Sequence, residues 1–207
     1  MNSSSLAIPY ERLSEETELK PFDCGNPDLT DYFYNSAKKD IAKLLSVVYY
    51  LATDDRTVLF FTLSNDKISE IEIKRGEPVY SRSFFRRIKD KFGRAKHRND
   101  YPAVKIGRFG VDKEFRKQGQ HWGSRTLDFI KRWMITDNKT GCCFITIDAY
   151  ATAVEFYMKN KFLFMGEKEK KGYEQWIKAN PNYKETPIID DVPTFSMYFN
   201  LLSLKGK

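Results

Sequence analysis

An α/β domain organised on one central sheet is the fold class this sequence predicts, and three observations predict it. Segments with apolar residues every three to four positions alternate with short runs rich in β-branched and aromatic residues, the pattern of helices interleaved with strands. The chain has 207 residues, a length that one core can organise. Its hydrophobic content of 41% and aromatic content of 15%, without a long Pro, Gly or Ser tract, are those of a globular protein. Residues 1–207 read as a single domain with a basic insert over about 74–100 and a variable loop over about 166–193.

The first helix is marked by its start. Asn26 suits an N-cap, Pro27 the first helical position, and Asp28 and Asp31 the positive end of the dipole. Leu29, Phe33, Ala37, Ile41 and Leu44 then recur at helical spacing, which predicts an amphipathic helix. The runs 47–51 and 58–63 flank Asp54-Asp55-Arg56 and predict a β-hairpin. Residues 81–95 predict a basic helix with Phe84, Phe85, Ile88 and Phe92 inward, ended by Tyr101-Pro102 before a strand over 103–111. A helix over 122–136 with Leu127, Ile130 and Met134 on one face comes next, then a strand over 142–147, a helix over 152–160 and a strand over 162–165. Residues 166–193 are polar and predict a long loop with one helical turn around Tyr173 to Lys178, and the run 194–201 completes the sheet by alternation.

No stretch approaches the roughly 20 apolar residues of a membrane span. Residues 1–9 also lack a basic region followed by an apolar run, so the expectation is a cytoplasmic protein with no membrane partner. The cysteines Cys24, Cys142 and Cys143 are odd in number, and the adjacent pair would bridge only with strain, which argues against a disulfide framework. Neither His97 nor His121 stands at ligand spacing from a cysteine, so no metal is expected. Net charge of +7 is concentrated: between Lys74 and Asp100, ten Lys and Arg residues stand against three carboxylates, an excess equal to that of the whole chain. Such a cluster attracts polyanions, RNA or the phosphates of a CoA-type ligand among them, or is a solvated basic helix.

Two segments carry chemistry. Residues 106–124 read as a strand, a basic glycine-containing turn and a helix, and helix-start N–H groups beside glycine form a cradle for a pyrophosphate. Further on stands Phe156-Tyr157-Met158-Lys159-Asn160-Lys161-Phe162. With both present, the chain resembles the GNAT superfamily of acyl-CoA transferases, in which a Q/R-x-x-G-x-G/A turn grips the CoA pyrophosphate and an F-Y-x-K-N-G-F segment carries a tyrosine near the thioester sulfur. The resemblance extends to residues 22–29, 102–111 and 197–201, and so to most of the chain except 166–193.

The resemblance implies a GNAT-like domain with a mixed, mostly antiparallel twisted sheet flanked by helices. It implies acetyl-CoA as acyl donor, held by Phe109, Gly110, Val111, Gln118, Gly119, Gln120, His121, Trp122, Gly123 and Ser124. Tyr157 is then the general acid that protonates the departing thiolate, and a main-chain N–H on the strand ending in Phe109-Gly110-Val111 meets the oxyanion. Without the resemblance Tyr157 reads as a helix-end aromatic in the core. Two residues depart from the pattern. Lys161 stands where glycine is usual, and His121 falls on a small-residue position whether the turn is aligned as 116–121 or as 118–123. The second register is favoured because it sets Leu127 and Ile130 on the helix face.

No general base stands out: Asp112, Glu114, Asp148 and Glu155 are candidates by type, each read as a surface carboxylate. The implied activity is transfer of an acetyl group to a primary amine of an unidentified acceptor. A second reading is a GNAT toxin that acetylates aminoacyl-tRNA, docked through 74–100, and a third is a catalytically idle protein that binds RNA or a partner. A homodimer and an antitoxin partner are left open.

Overall fold

The structure, a computed structural model, describes residues 10–69, 100–116, 119–137, 141–184 and 191–205. Apart from Asp100 the basic cluster lies outside the described residues, as do the helix expected over 81–95 and Gln118. Strands β1 (Glu11–Arg12), β2 (Val47–Ala52), β3 (Thr57–Ser69), β4 (Asp100–Val111), β5 (Phe144–Tyr150), β6 (Leu163–Phe164) and β7 (Thr194–Asn200) form one mixed sheet in the order β1-β2-β3-β4-β5-β7-β6. Helices α1 (Pro27–Asp31), α2 (Ala37–Ala42), α3 (Lys113–Arg116), α4 (Trp122–Thr136), α5 (Val154–Lys159) and α6 (Glu167–Ala179) complete the α/β architecture that the sequence predicts. The pairs β1/β2, β2/β3, β5/β7 and β6/β7 are antiparallel. The last strand of the chain is therefore an interior strand, laid between β5 and β6. Two compact units divide the chain: Met1–Ser64 with Ile106–Arg125, and Asn65–Lys105 with Thr126–Lys207.

In the first unit, helix α1 starts as its capping chemistry dictates. The Asn26 side chain accepts from the Leu29 N–H at 3.1 Å, and Pro27 opens the helix. A π-helical turn over Tyr32–Ser36 separates α1 from α2 and inserts one residue into the register. Leu29, Phe33 and Ala37 still reach a core shared with Phe22, Cys24, Tyr32, Val48 and Phe60, while Ile41 packs at its margin. Leu44 does not join them. It is 92% exposed and left-handed (φ 58°), with its N–H on the Ile41 carbonyl and the Leu45 N–H on the Asp40 carbonyl, a C-terminal stop ordinarily built on glycine. The predicted hairpin is present, with β2 and β3 paired from Val47 opposite Leu63 to Leu51 opposite Leu59.

The second unit has its own core in Ile68, Tyr101, Ala103, Phe144, Met165 and Tyr198. Here two expectations are corrected. The strand expected over 103–111 begins at Asp100, so Tyr101-Pro102 lies inside β4 rather than before it. The Pro102 carbonyl accepts from the Cys143 N–H at 2.9 Å. The segment 166–193, expected to be loop with a single helical turn, carries the 13-residue helix α6. Its apolar stripe is short, and Gly172 near its middle reads as a breaker. Gly172 is instead a packing choice, since a Cβ there would stand 3.0 Å from the Phe195 ring. Glu169 on the same helix accepts from the Ser196 N–H at 3.0 Å and ties α6 to β7.

Candidate active site

The end of β4 shows why its residues are what they are. Gly110 faces the first unit's core, and a Cβ there would stand 3.0 Å from Phe22 and 3.1 Å from Phe60, so aromatic packing alone demands glycine. Val111 is buried, and Asp112, which follows it, has no exposed surface at all. The expectation of a surface carboxylate at Asp112 is thus overturned. Its Oδ2 accepts from the Asp23 N–H at 2.8 Å and from Arg56 Nε at 3.0 Å, and its Oδ1 from the Glu114 N–H at 2.9 Å. A carboxylate dries out here because three donors replace its water. Those bonds also commit it, so Asp112 is a tie between the chain at Asp23, the hairpin at Arg56 and helix α3 rather than a base. Lys113 completes the join with a 2.6 Å ion pair to Asp23, which together with the Gly25 N–H holds the Asp23 carboxyl below its ordinary pKa.

Beyond α3 the described chain resumes at Gly119, left-handed at φ 67° with open space around it. Gln120 and His121 are exposed, and His121 is left-handed too (φ 51°). The His121 carbonyl accepts the Arg125 N–H at 3.0 Å and so begins the hydrogen-bond ladder of α4. The helix-start N–H groups of Gly123 and Ser124 donate to no described residue, as the first turn of a helix leaves them. Trp122 opens the helix with its ring against the Arg125 guanidinium, 5.1 Å from centroid to Cζ. Helix α4 spans the predicted residues and buries Leu127, Ile130 and Met134 as expected.

Tyr157 lies in the second unit on α5, buried, with its ring edge-on to Phe156 and Phe162 at 5.1 and 5.6 Å. Its hydroxyl makes no hydrogen bond to a described residue, and burial raises its pKa above the ordinary value of 10. The helix ends in a Schellman motif: the Phe162 N–H reaches the Tyr157 carbonyl at 3.0 Å and the Lys161 N–H the Met158 carbonyl at 2.9 Å. Tyr157 and Phe162 are the two residues whose side chains touch across that motif, so the cap also seats the tyrosine ring. The motif requires a left-handed residue at its turn, and Lys161 occupies it at φ 67°. Its steric demand accounts for the glycine that the resembling pattern carries at this place. We expect Lys161→Gly to stabilise the fold by about 1 kcal/mol through release of left-handed strain, measured as a rise in denaturation midpoint at unchanged slope. A lowered midpoint would mean that Lys161 stabilises by a contact of its own.

The remaining carboxylates are spoken for. Asp148 meets Lys105 at 2.5 Å and the Ser196 hydroxyl at 2.7 Å. Burial works to raise its pKa, but these two partners outweigh it and the net shift is downward. Glu155 takes Lys184 at 2.7 Å and the Tyr183 hydroxyl at 3.1 Å, and Lys184 first among its neighbours keeps it below the ordinary value. Glu114 is exposed and 3.4 Å from Arg56. One residue was passed over by the sequence reading: Lys131, buried on the apolar face of α4, whose Nζ meets the Asn160 carbonyl at 2.6 Å. Its position one residue after Ile130 and three before Met134 is the signal, since a lysine inside a helical apolar stripe needs a buried partner.

A mixed sheet whose final strand is interior, with a long helix opening after β4 and a tyrosine-bearing helix after β5, is a GNAT fold. No family model and no curated protein matches the sequence. Solved structures do match the fold. One described only as a bacterial toxin superposes with a TM-score of 0.62 at 14% identity, over 94% of this chain and 90% of its own. A tyrosine-to-phenylalanine variant of KacT gives 0.61 at 18% identity, over 94% and 95%. AtaT complexed with acetyl-methionyl-tRNAfMet gives 0.58 at 16% identity, again over 94% and 95%.

Proposed function

We propose that this chain is one GNAT-like N-acetyltransferase domain that moves an acetyl group from acetyl-CoA to the amino group of an aminoacyl-tRNA. The observation that carries the enzymatic part is Tyr157: a buried, protonated phenol without a hydrogen-bond partner among the described residues, held by ring and carbonyl at a helix cap. Acetyl-CoA would supply an activated acyl group with a thiol leaving group. In transfer, the amine nitrogen bonds to the acyl carbon and gives up a proton to water as the carbon–sulfur bond breaks. Tyr157 gives its proton to the sulfur and regains one from solvent. Burial that disfavours a phenolate equally disfavours a naked thiolate, so the raised pKa keeps the donor loaded without removing its drive.

The turn fits the anionic end of such a donor. Gly119 and His121 bend the backbone through left-handed conformations into α4, and the Gly123 and Ser124 N–H groups donate to no described residue. We assign the pyrophosphate to Gln118 through Ser124, with Phe109, Gly110 and Val111 along the pantetheine arm. The imidazole of His121 does not block that approach from inside the fold, because it is exposed. What supports charged tRNA over a small amine is the fold's likeness to AtaT, solved with an acetylated aminoacyl-tRNA, together with the basic run 74–100. An antitoxin partner belongs to the same reading, since AtaT is also solved bound to the C-terminus of the antitoxin AtaR, at a TM-score of 0.55 and 16% identity.

The test has two stages. Saturating acetyl-CoA should raise the melting temperature by roughly 5–10 °C, the equivalent of about 2.7 kcal/mol at a hundredfold excess over Kd. No shift at millimolar ligand defeats the enzymatic reading. Thiol release is then followed with methionyl-tRNA, deacylated tRNA, free methionine and lysine peptides. Release confined to charged tRNA is the expected result, and release with free amines alone returns the acceptor to a small molecule or protein.

A further inference from the structure

The Lys131 side chain is 5% exposed, and among the described residues its one carboxylate contact is Asp128, itself largely in solvent at 3.5 Å. A cation so placed loses most of its hydration, and desolvation lowers its pKa accordingly. Three groups replace the water: the Asn160 carbonyl at 2.6 Å, the Phe199 ring at 4.5 Å and the Phe162 ring at 5.4 Å. An apolar residue would fill this place on α4 at lower cost, so the charge calls for a reason beyond packing.

Asn160 is the C-cap of α5, the helix that carries Tyr157. Its N–H and its side-chain amide both donate to the Phe156 carbonyl, at 3.1 and 2.8 Å, leaving its own carbonyl pointing out of the helix end. Helix C-termini gather negative partial charge, and a cation there is favoured, the more so when buried. Lys131 meets that carbonyl head-on, and the same ammonium lies over Phe162, whose ring touches Tyr157 at 5.6 Å. One cation thus grips both the backbone and the ring that seat the tyrosine.

We propose that Lys131 is a positioning residue for Tyr157, clamping the Asn160 carbonyl and the Phe162 ring so that the phenol is held at one height on its helix. The proposal rests on the assignment of Tyr157 as proton donor. Lys131 touches no reacting atom. Its effect is on how often the phenol is aligned for transfer, not on whether the acyl donor binds.

The experiment compares wild type, Lys131→Met and Lys131→Arg, each checked for folding and assayed well below its melting temperature. Turnover is followed by thiol release, and Tyr157 is followed by 19F resonance after 3-fluorotyrosine incorporation, assigned by Tyr157→Phe. Lys131→Met should lower kcat about tenfold, keep KM for acetyl-CoA within twofold and move or broaden the Tyr157 resonance. Lys131→Arg should recover most of the turnover and the wild-type resonance. An unmoved resonance overturns the proposal whatever turnover does, and so does a wild-type kcat with only a lowered melting temperature, which marks a structural cation. If the wild-type protein turns over no acceptor, the enzymatic reading falls and the resonance alone decides whether Lys131 holds Tyr157. Should Lys131→Met not fold, Lys131→Gln, which keeps a donor but loses the charge, is judged by the same criteria.

Discussion

Tyr157→Phe is expected to lower kcat about a hundredfold or more, the usual worth of a positioned general acid, while leaving acetyl-CoA affinity within twofold. The same substitution should leave stability unchanged or raise it. The Tyr157 hydroxyl makes no hydrogen bond to any described residue, so deleting the oxygen breaks no bond among them. Phenylalanine keeps the ring that packs against Phe156 and Phe162. Opposite movements of activity and stability separate a proton donor from a core aromatic, because a core aromatic changes neither rate nor chemistry when it loses only an oxygen. Parallel kinetics and denaturation of the two proteins check this. Wild-type kcat in Tyr157→Phe removes the residue from the acid role. Since burial carries the phenol's pKa above 10, no loss of kcat from its ionisation should appear between pH 7 and 10.

What the sequence could and could not tell follows from where the information sits. Helix α4 was legible to its ends because three large apolar residues recur on one face, and α1 because Asn26 and Pro27 are strong start signals. Helix α6 was not, since its stripe is only Tyr173, Trp176 and Ile177 and its Gly172 answers to Phe195, a residue more than twenty positions away. Leu44 obeyed the helical period and still faces solvent, because a π-turn shifted the register and a left-handed stop intervened. Tyr157 is singled out only through the motif's resemblance to a family pattern, and its burial suits a core aromatic as well as a proton donor. The cation that holds its helix cap could not be paired in advance, because Lys131 and Asn160 lie 29 residues apart and only the fold puts them at 2.6 Å.

The same limit applies to Asp112, and its removal carries the largest stability change we expect. Asp112→Ala should cost about 3 kcal/mol, the lower end of the range for breaking a buried ion pair, because the Arg56 side chain keeps 27% exposure and can recover some water. The Asp23 and Glu114 N–H groups have no such recourse. They lose the acceptor that ties residues near the start of the chain and helix α3 to the hairpin, 89 and 2 positions away. In melting temperature the loss amounts to roughly 6–12 °C for a chain of this size. Asp112→Asn discriminates the cause: it keeps one oxygen for the Asp23 N–H and Arg56 Nε, which share Oδ2, but turns an N–H donor toward the Glu114 N–H, so it should recover only part of the stability. Full recovery in Asn would mean that hydrogen bonding, not charge, dries out this site. A loss below about 1 kcal/mol in Ala would mean that the join between Asp23 and Lys113, paired at 2.6 Å, holds without it.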